Sequence, residues 1–266
     1  VYRDVNLIEV PDCRFTMNDY GSDGIYITPR RVGEDGWELS IKALIDNADC
    51  SHKARFTLID ADGNEKASTI ADLRPIISAK LPVEDPVLWN GRKNPYLYTV
   101  RCEIFDSTTQ EVTDNIDIRT GLREYHIDSH KGFFLNGEHI KLQGVSRHQD
   151  RENMGNAITE KQHAEDVKII LDVGANSVRL AHYQQNSYFY DLCDESGLLV
   201  WAEVPVISRF SPKRNENAEQ QLVELIKQNY NHPSIFCWGI ENEITIAGSA
   251  SKKLITFLKH MHKVAR

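Results

Sequence analysis

Hydrophobic residues follow two different spacings along the chain, and the change falls near residue 122. Between residues 10 and 122, apolar and polar residues alternate with a period of two, as at 24–28 and 37–45. This alternation predicts β-strands with one buried face, and Asp62-Gly63 is one of the turn signals between them. About seven short strands at this spacing predict an immunoglobulin-like β-sandwich.

After residue 122, four apolar strand segments alternate with four segments of helical period. Thr159 and Gln162 predict a capping box at the start of the first helix, and Gly174 predicts its end. The expected buried stripe of that helix is Ala164, Val167, Ile170 and Leu171. Strands that alternate with helices predict a parallel sheet.

A doubly wound sheet and a (β/α) barrel both fit this alternation. No Gly-x-Gly-x-x-Gly sequence follows the first strand, which disfavours a dinucleotide-binding fold. In a barrel, the carboxyl ends of the strands carry the active site. The position of the polar residues therefore decides how the second half is interpreted.

Polar residues cluster at the carboxyl ends of all four predicted strands. The fourth strand, at 235–238, is an apolar run that predicts burial on both faces, and Glu241, Asn242 and Glu243 follow it. Such groups at the end of a buried strand are costly unless they are hydrogen-bonded or used. The other strand-end residues are Arg147, His148, Asp150, Arg179, His182 and Glu203. Four polar strand ends in succession favour an active site on one rim over four ordinary loops.

The composition of the chain disfavours several classes of partner. The formal net charge of −8 disfavours nucleic acid or an anionic membrane as the main partner. No apolar run approaches the roughly 20 residues of a membrane span. Five scattered cysteines without Cys-x-x-Cys spacing predict free, mostly buried thiols rather than a disulfide framework or a zinc site. The sequence carries no signal peptide, and both a cytoplasmic and an exported parent protein fit it.

Several long stretches resemble family two of the glycoside hydrolases, the β-galactosidase and β-glucuronidase group. They occur in the same order as in the family and include 132–137 (Gly-Phe-Phe-Leu-Asn-Gly), 144–150 (Gly-Val-Ser-Arg-His-Gln-Asp), 177–183 (Ser-Val-Arg-Leu-Ala-His-Tyr), 191–200, 231–234 (Asn-His-Pro-Ser) and Asn242-Glu243. Residues 88–98 resemble the family's sandwich domain, and 1–7 resemble the tail of its sugar-binding jelly roll. The resemblance covers nearly the whole chain.

The resemblance implies hydrolysis of β-glycosides with retention, by two carboxylates about 5–5.5 Å apart. It implies that Glu243 is the proton donor and that Asn242 binds the sugar 2-hydroxyl. Arg179 would steady the nucleophile, and Glu203 would support the rim as a neighbour of the direct ligands. Three further residues would bind sugar hydroxyls, namely His148, Asp150 and His182.

Each assignment has a structural alternative. Arg179 could be an ordinary salt-bridge arginine, and either histidine could be a satisfied structural residue. Strand alternation points Glu241 to the same side as Glu243, so only the family's Asn-Glu pairing chooses between them. The sequence also departs from the family pattern, because Gln184 follows His182-Tyr183 where the family has proline.

No metal and no cofactor are expected. Some β-galactosidases carry magnesium ligands just after the third strand, but Ile207 and Arg209 occupy those places here. Neither side chain offers the oxygen ligands that a hard cation requires. The expected partner is a carbohydrate substrate.

The predicted domains are 1–9, the tail of a missing jelly roll; 10–122, the sandwich; and 123–266, the first half of a truncated (β/α) TIM barrel with four βα units. The resemblance places the nucleophile on a later strand, so the 266-residue piece alone is expected to be inactive. Open strand edges of a half barrel are expected to favour self-association.

The leading interpretation is a retaining β-galactosidase-type enzyme that hydrolyses terminal β-D-galactosides, and the alternative within the family is a β-glucuronidase. A non-catalytic β-sandwich that binds carbohydrate is an alternative of another class. It would require an exposed aromatic platform, whereas Trp37 and Trp89 fit a core better. A metal-dependent barrel hydrolase is disfavoured because no His-x-His follows the first strand.

Overall fold

The computed structural model describes residues 5–33, 36–246 and 251–266. The chain is divided into two structural units. The first contains the described residues up to Lys141 together with Tyr230–Pro233, and the second contains Leu142–Asn229 and Ser234–Arg266. The predicted strand at 1–9 lies partly outside the described residues, and residues 5–9 have no regular structure.

The first unit is built from β-strands. Its strands are β1 (Arg14–Phe15), β2 (Ile25–Val32), β3 (Gly36–Asp46), β4 (His52–Ile59), β5 (Glu65–Asp72), β6 (Ile76–Glu84), β7 (Trp89–Asn90), β8 (Asn94–Pro95), β9 (Tyr98–Asp106), β10 (Val112–Thr120), β11 (Tyr125–Asp128), β12 (Gly132–Leu135) and β13 (Glu138–Ile140). One four-stranded sheet contains β1, β2, β3 and β6, and the other has the order β10-β9-β4-β5. All of the pairings in these two sheets are antiparallel.

Strict alternation places one face of each sheet in a shared core. Along β3, every second residue from Trp37 to Ile45 is buried, and β4 and β9 contribute Phe56 and Cys102 to the same cluster. The predicted β-sandwich is therefore confirmed. Trp37 and Trp89 are both buried, as expected, so neither forms an exposed aromatic platform.

Strands β11, β12 and β13 form a small antiparallel sheet in the first unit. Asn136 and Gly137 form the turn between β12 and β13, and both residues have positive φ, at 50° and 81°. Such a two-residue turn matches the twist of a hairpin. The structure groups this sheet with the sandwich, whereas the predicted boundary at 122/123 assigns it to the barrel part.

The second unit contains four parallel strands and four helices in strict alternation. They are β14 (Gly144–Arg147), α1 (Glu160–Asp172), β15 (Ser177–Leu180), α2 (Ser187–Ser196), β16 (Leu199–Glu203), α3 (Asn215–Gln228), β17 (Ile235–Gly239) and α4 (Lys252–Val264). The strand order in space is β14-β15-β16-β17, which equals the order in the chain. The prediction of four successive βα units is therefore confirmed.

The helix boundaries follow from local sequence signals. Thr159 and Gln162 form the predicted capping box, and Asn186 caps α2 by accepting a hydrogen bond from the Tyr188 backbone N–H at 2.9 Å. Gly197 ends α2 with φ of 72°, a conformation that glycine adopts without steric cost. Within α1, Val167 and Ile170 are buried as predicted, but Ala164 is exposed and His163 is buried instead.

The helices pack against one face of the parallel sheet. Val178, Leu180, Val200 and Ala202 belong to the core that the helices form with that face. The opposite face remains accessible. Cys237 of β17, opposite the exposed Trp201, is only partly buried, and Trp238 is also partly buried although it packs against the helix-side core. The prediction that this strand is buried on both faces is therefore wrong, because an apolar run reveals no partner layer by itself.

Strands β14 and β17 are the two outer strands of this sheet. Self-association through their edges stays a prediction. All five cysteines are free thiols, and Cys50 is the exposed one. Among the described residues, none of the helices has the length and apolar composition needed to cross a membrane.

Candidate active site

The centre of the site is a buried carboxylate that joins two neighbouring strands. The side chain of Glu203, at the end of β16, is only 1% exposed. Its two oxygens accept hydrogen bonds from Arg179 Nε on β15 and from His182 Nδ1, the latter at 2.7 Å. A carboxylate buried without partners would be strongly destabilising, so these two donors explain why it is tolerated.

This pairing selects one tautomer of His182. Because an ionised carboxylate only accepts hydrogen bonds, Nδ1 of His182 must carry the proton that faces Glu203. The second ring nitrogen, Nε2, is then the one available to a ligand. The side chain of His182 is partly exposed, with 20% of its surface accessible.

Asn242 connects the same cluster to the end of β17. Its Oδ1 accepts a hydrogen bond from Arg179 Nη2 at 2.7 Å. Its backbone N–H donates to the Val206 carbonyl at 2.9 Å, and its own carbonyl accepts from Ser208 N at 3.0 Å. Since arginine can only donate, the amide orientation of Asn242 is determined, and its Nδ2 group is left as a hydrogen-bond donor.

Glu243 directly follows Asn242 and is exposed to solvent. Its φ of 52° is in the left-handed region that few residues other than glycine adopt. Its carbonyl accepts a hydrogen bond from Ile246 N at 2.8 Å, which closes a turn after the strand. Positive φ is therefore part of the tight turn in which Glu243 lies, as it is for Asn136 in the β12–β13 turn.

Glu241, the competing acid, is engaged in local structure. Its Oε2 accepts a hydrogen bond from Ile244 N at 3.2 Å, and its side chain is partly buried. This contact gives Glu241 a role in the turn that follows β17, which the exposed carboxylate of Glu243 does not share.

The loop after β14 contributes His148 and Asp150. The rings of His148 and His182 meet edge to face with centroids 5.4 Å apart. The Tyr183 hydroxyl accepts from Gln149 N at 3.1 Å and lies 3.4 Å from His148 Nδ1. Asp150 is exposed on the same loop and does not hydrogen-bond to the cluster in the described part of the chain.

Sequence reasoning missed Trp201, which shares the accessible face with Arg179 and Glu203. It lies opposite Arg179 in the strand register, and the guanidinium is 5.9 Å from its ring centroid. A Cβ atom at Gly239 would come within 2.5 Å of both Trp201 and Glu203, so this position requires glycine. The alternation of β16 could have revealed Trp201, because it is two residues before Glu203.

Arg147 does not belong to the site. The expectation that it lies on the same rim as the other polar strand-end residues is therefore wrong. Arg147 is buried on the helix side, where it donates to Asp166 at 2.7 Å and to Gln185 Oε1. It also donates to His163 Nδ1 at 2.9 Å and lies 3.9 Å from the Phe189 ring centroid. Burial lowers the pKa of its guanidinium, while Asp166 opposes that change. Arg147 therefore joins β14 to α1 and α2.

Arg147→Lys is expected to destabilise the second unit without affecting the accessible face. A lysine can keep one bond to Asp166 but cannot also serve Gln185 and His163 in a planar fork. Losing bonds of this charged type should cost about 2 kcal/mol of unfolding free energy. Chemical denaturation followed by tryptophan fluorescence measures this change, and an unchanged midpoint would contradict the assignment.

One position at which some β-galactosidases carry a magnesium ligand is occupied by Ile207. Ile207 forms a parallel backbone bridge with Asn242, and its side chain carries no ligand atom. The polar groups of the site hydrogen-bond to one another, in the cluster of Arg179, His182, Glu203 and Asn242. The expected absence of a metal at this rim stays a prediction.

Together these side chains are suited to bind a ligand that carries several hydroxyl groups. Arg179, His182 and Glu203 hold the Asn242 amide in one orientation, and the adjoining residue carries an exposed carboxyl group. An ordered amide can bind a hydroxyl group, and a carboxylic acid that follows it in the chain can exchange a proton with an oxygen within its reach.

Two family models match the chain. Residues 23–123 match "Glycosyl hydrolases family 2", and residues 127–264 match "Glycosyl hydrolases family 2, TIM barrel domain". The chain is 36% identical to a protein named beta-glucuronidase from Bacteroides fragilis, across 100% of this chain and 40% of the relative. It is 31% identical to a beta-galactosidase from Thermoanaerobacter pseudethanolicus, across 84% of this chain and 31% of the relative.

Among solved structures, the chain resembles one described as an FMN-binding beta-glucuronidase from Facaelibacterium prausnitzii L2-6. The TM-score is 0.91 at 40% identity, with 96% of this chain and 39% of that chain covered. The chain thus spans well under half of the length of each of these three relatives.

Proposed function

The chain belongs to family 2 of the glycosyl hydrolases, and on that basis we propose that it supplies the proton-donating side of the active site of a retaining β-glycosidase. One observation carries the proposal: Asn242 is held in a fixed orientation by the Arg179–Glu203–His182 cluster, directly before Glu243. The family's Asn-Glu pairing and this geometry support the same residue.

Glu243 is proposed as the general acid and base. In the first step its protonated carboxyl group gives a proton to the glycosidic oxygen while a nucleophilic carboxylate attacks the anomeric carbon. In the second step the resulting Glu243 carboxylate takes a proton from water, which attacks the covalent intermediate. Exposure of Glu243 to solvent on an open strand end is compatible with both transfers.

Asn242 is proposed to bind the sugar 2-hydroxyl through its Nδ2 group. Hydrogen bonds to this hydroxyl strengthen as positive charge develops at the anomeric centre, so the contact favours the transition state over the ground state. His182 Nε2, His148 and Asp150 are proposed ligands of other sugar hydroxyls. Trp201 adds an accessible aromatic ring to the same face, with 39% of its surface exposed.

Glu203 is not proposed as the nucleophile. Both of its oxygens accept charged or polar hydrogen bonds, and its side chain is buried away from an approaching sugar. Its proposed role is to position Arg179 and His182. The nucleophile is expected on a later strand, as the family resemblance implies, so the catalytic proposal concerns the enzyme that carries this sequence.

Two sugars are proposed for the terminal residue of the substrate. The sequence motifs suggested β-galactosides. The beta-glucuronidase names of the relatives at 36% and 40% identity support β-glucuronides at least as well. Burial of Trp37 and Trp89 weighs against the alternative of a non-catalytic sandwich that binds carbohydrate through an aromatic platform.

The test uses the enzyme that carries this sequence with four nitrophenyl glycosides, the α- and β-anomers of galactoside and glucuronide. One β-anomer should be hydrolysed at least about a hundredfold faster in kcat/KM than its α-anomer, since only one face of the sugar meets the two carboxylates. Proton NMR of the first-formed sugar should show the β-anomer. Release of the α-anomer, or no turnover of either β-glycoside, would contradict the proposal.

A further inference from the structure

Three potential metal ligands of different chemical type converge at the edge of the sandwich, in the first unit. Cys13 lies just before β1, Asp49 lies in the turn between β3 and β4, and His52 begins β4. The sulfur, a carboxylate oxygen and a ring nitrogen of these residues all lie within 4.8 Å of one another. We propose that Cys13, Asp49 and His52 bind a zinc ion that fastens the two sheets of the sandwich together.

The loop between β3 and β4 holds the carboxylate of Asp49 against the imidazole of His52. Asp49 Oδ1 accepts hydrogen bonds from Ser51 N at 2.8 Å, Ser51 Oγ at 2.7 Å and His52 N at 3.1 Å, which order the turn. His52 Nδ1 faces both carboxylate oxygens of Asp49, at 2.9 Å from Oδ1 and 3.0 Å from Oδ2. Asp49 therefore orders the turn and holds the imidazole, and the Cys13 sulfur lies within 4.8 Å of a ligand atom of each of them, which completes a set of three possible ligands.

The distances suit a tetrahedral ion after small shifts. Ligand atoms around zinc are about 3.3–3.8 Å apart when the bonds are 2.0–2.3 Å long. The Oδ2–Nδ1 pair would open slightly from 3.0 Å, and the sulfur would approach from within its present 4.8 Å. A water molecule would complete the coordination, as at other sites with three protein ligands.

The surrounding charge favours a cation. The carboxylates of Asp12, Asp49 and Asp114 all act electrostatically on the Cys13 thiol, so the surroundings of the sulfur are negatively charged. Arg14 is the nearby opposing charge, and it is paired with Asp46 at 3.1 Å.

The ligand types select a transition metal over calcium or magnesium. A thiolate and an imidazole suit zinc, whereas the hard cations require oxygen ligands. On binding, Zn²⁺ would displace the thiol proton of Cys13 to the buffer. Nδ1 of His52 binds the ion only without a proton, so the neutral ring would carry its one proton on Nε2. The ion then coordinates a thiolate, a carboxylate and a neutral imidazole.

Coordination would join parts of the fold that are distant in sequence. Cys13 adjoins β1, which pairs with β3 in one sheet, and His52 starts β4 in the other sheet. A metal held by both would tie the beginning of the sandwich to the opposite sheet. This role is separate from the proposed glycosidase activity and does not depend on it.

The test is a metal titration of the 266-residue chain after removal of bound metal by a chelator. Zn²⁺ should bind with one equivalent per chain and raise the Tm. Co²⁺ in its place should produce a thiolate-to-metal charge-transfer band in the near ultraviolet. In Cys13→Ser that band should disappear. Even outer partners of metal ligands change affinity about 10–100-fold, so loss of a direct ligand should weaken zinc binding at least that much.

Cys50→Ser is the matched control, because Cys50 is an exposed thiol next to Asp49 that is not part of the triad. It should keep both the band and the affinity. His52→Gln leaves all thiols in place and should weaken binding while the folded far-ultraviolet spectrum is retained, which covers the case in which Cys13→Ser fails to fold. Substoichiometric binding by the wild type, a band that persists in Cys13→Ser, or unchanged affinity in His52→Gln would overturn the proposal.

Discussion

Glu243→Gln should reduce kcat/KM for an alkyl β-glycoside by about 10²–10⁴-fold in the enzyme that carries this sequence, because the leaving alkoxide then departs without a proton. A dinitrophenyl β-glycoside needs no such assistance. Its kcat/KM, which reports the first chemical step, should therefore stay close to that of the wild type. Its kcat should fall, since the second step has lost the base that activates water.

The matched control for this prediction is Glu241→Gln. Glu241 is an acid two residues away, and its carboxylate accepts a hydrogen bond from Ile244 N in the turn. Its replacement should affect both substrates equally and only slightly. If Glu241→Gln instead lowered kcat/KM for the alkyl glycoside but not for the dinitrophenyl glycoside, Glu241 rather than Glu243 would be the proton donor.

Glu203→Gln should lower kcat by about a hundredfold while leaving the protein folded. The amide keeps the shape of the carboxylate but removes the negative charge to which Arg179 and His182 donate. Arg179 holds Asn242 through Nη2, so the change would pass to the residue before Glu243. Displacements of about 1 Å in such groups can cost about 10² in rate.

This loss should be equal for the alkyl and the dinitrophenyl substrate, because it concerns positioning rather than proton donation. Arg147→Lys is the control for stability, with an expected loss of about 2 kcal/mol and no contact with the accessible face. Full activity in Glu203→Gln, or an equal loss of kcat in folded Arg147→Lys, would contradict a positioning role for Glu203.

Much of the fold follows from local patterns. Alternation of apolar residues, as along β3, predicts strands with one buried face, because every second side chain of a strand faces the same layer, and about seven such strands predict the sandwich. The four βα units follow from the change of period, and Thr159, Asn186 and Gly197 mark helix ends by chemistry that acts within a few residues.

The two arginines at strand ends show where local patterns were insufficient. Arg147 follows Ser146 in β14 and Arg179 follows Val178 in β15, yet Arg179 contacts the site whereas Arg147 contacts α1 and α2. Which face each occupies depends on the register between strands, where Arg147 is opposite Leu180 and Arg179 is opposite Trp201. That register is a long-range property, and single-sequence reasoning did not provide it.

The burial of β17 was overestimated for a related reason. Its apolar residues indicate that it can be buried, but the layer that covers a second face is set by other parts of a fold. His163 illustrates the opposite case. A polar residue interrupts the apolar stripe of α1 because its Nδ1 accepts a hydrogen bond from the buried Arg147.

The most direct test of the central claim, that Glu243 is the proton donor of a retaining β-glycosidase, is azide rescue of Glu243→Ala. With a dinitrophenyl β-glycoside, the glycosyl-enzyme still forms, and azide can attack it without a general base. The account predicts a large rate increase with azide and a β-glycosyl azide as the product, identified by NMR. An α-glycosyl azide would make Glu243 the nucleophile, and the absence of any azide product would contradict the account.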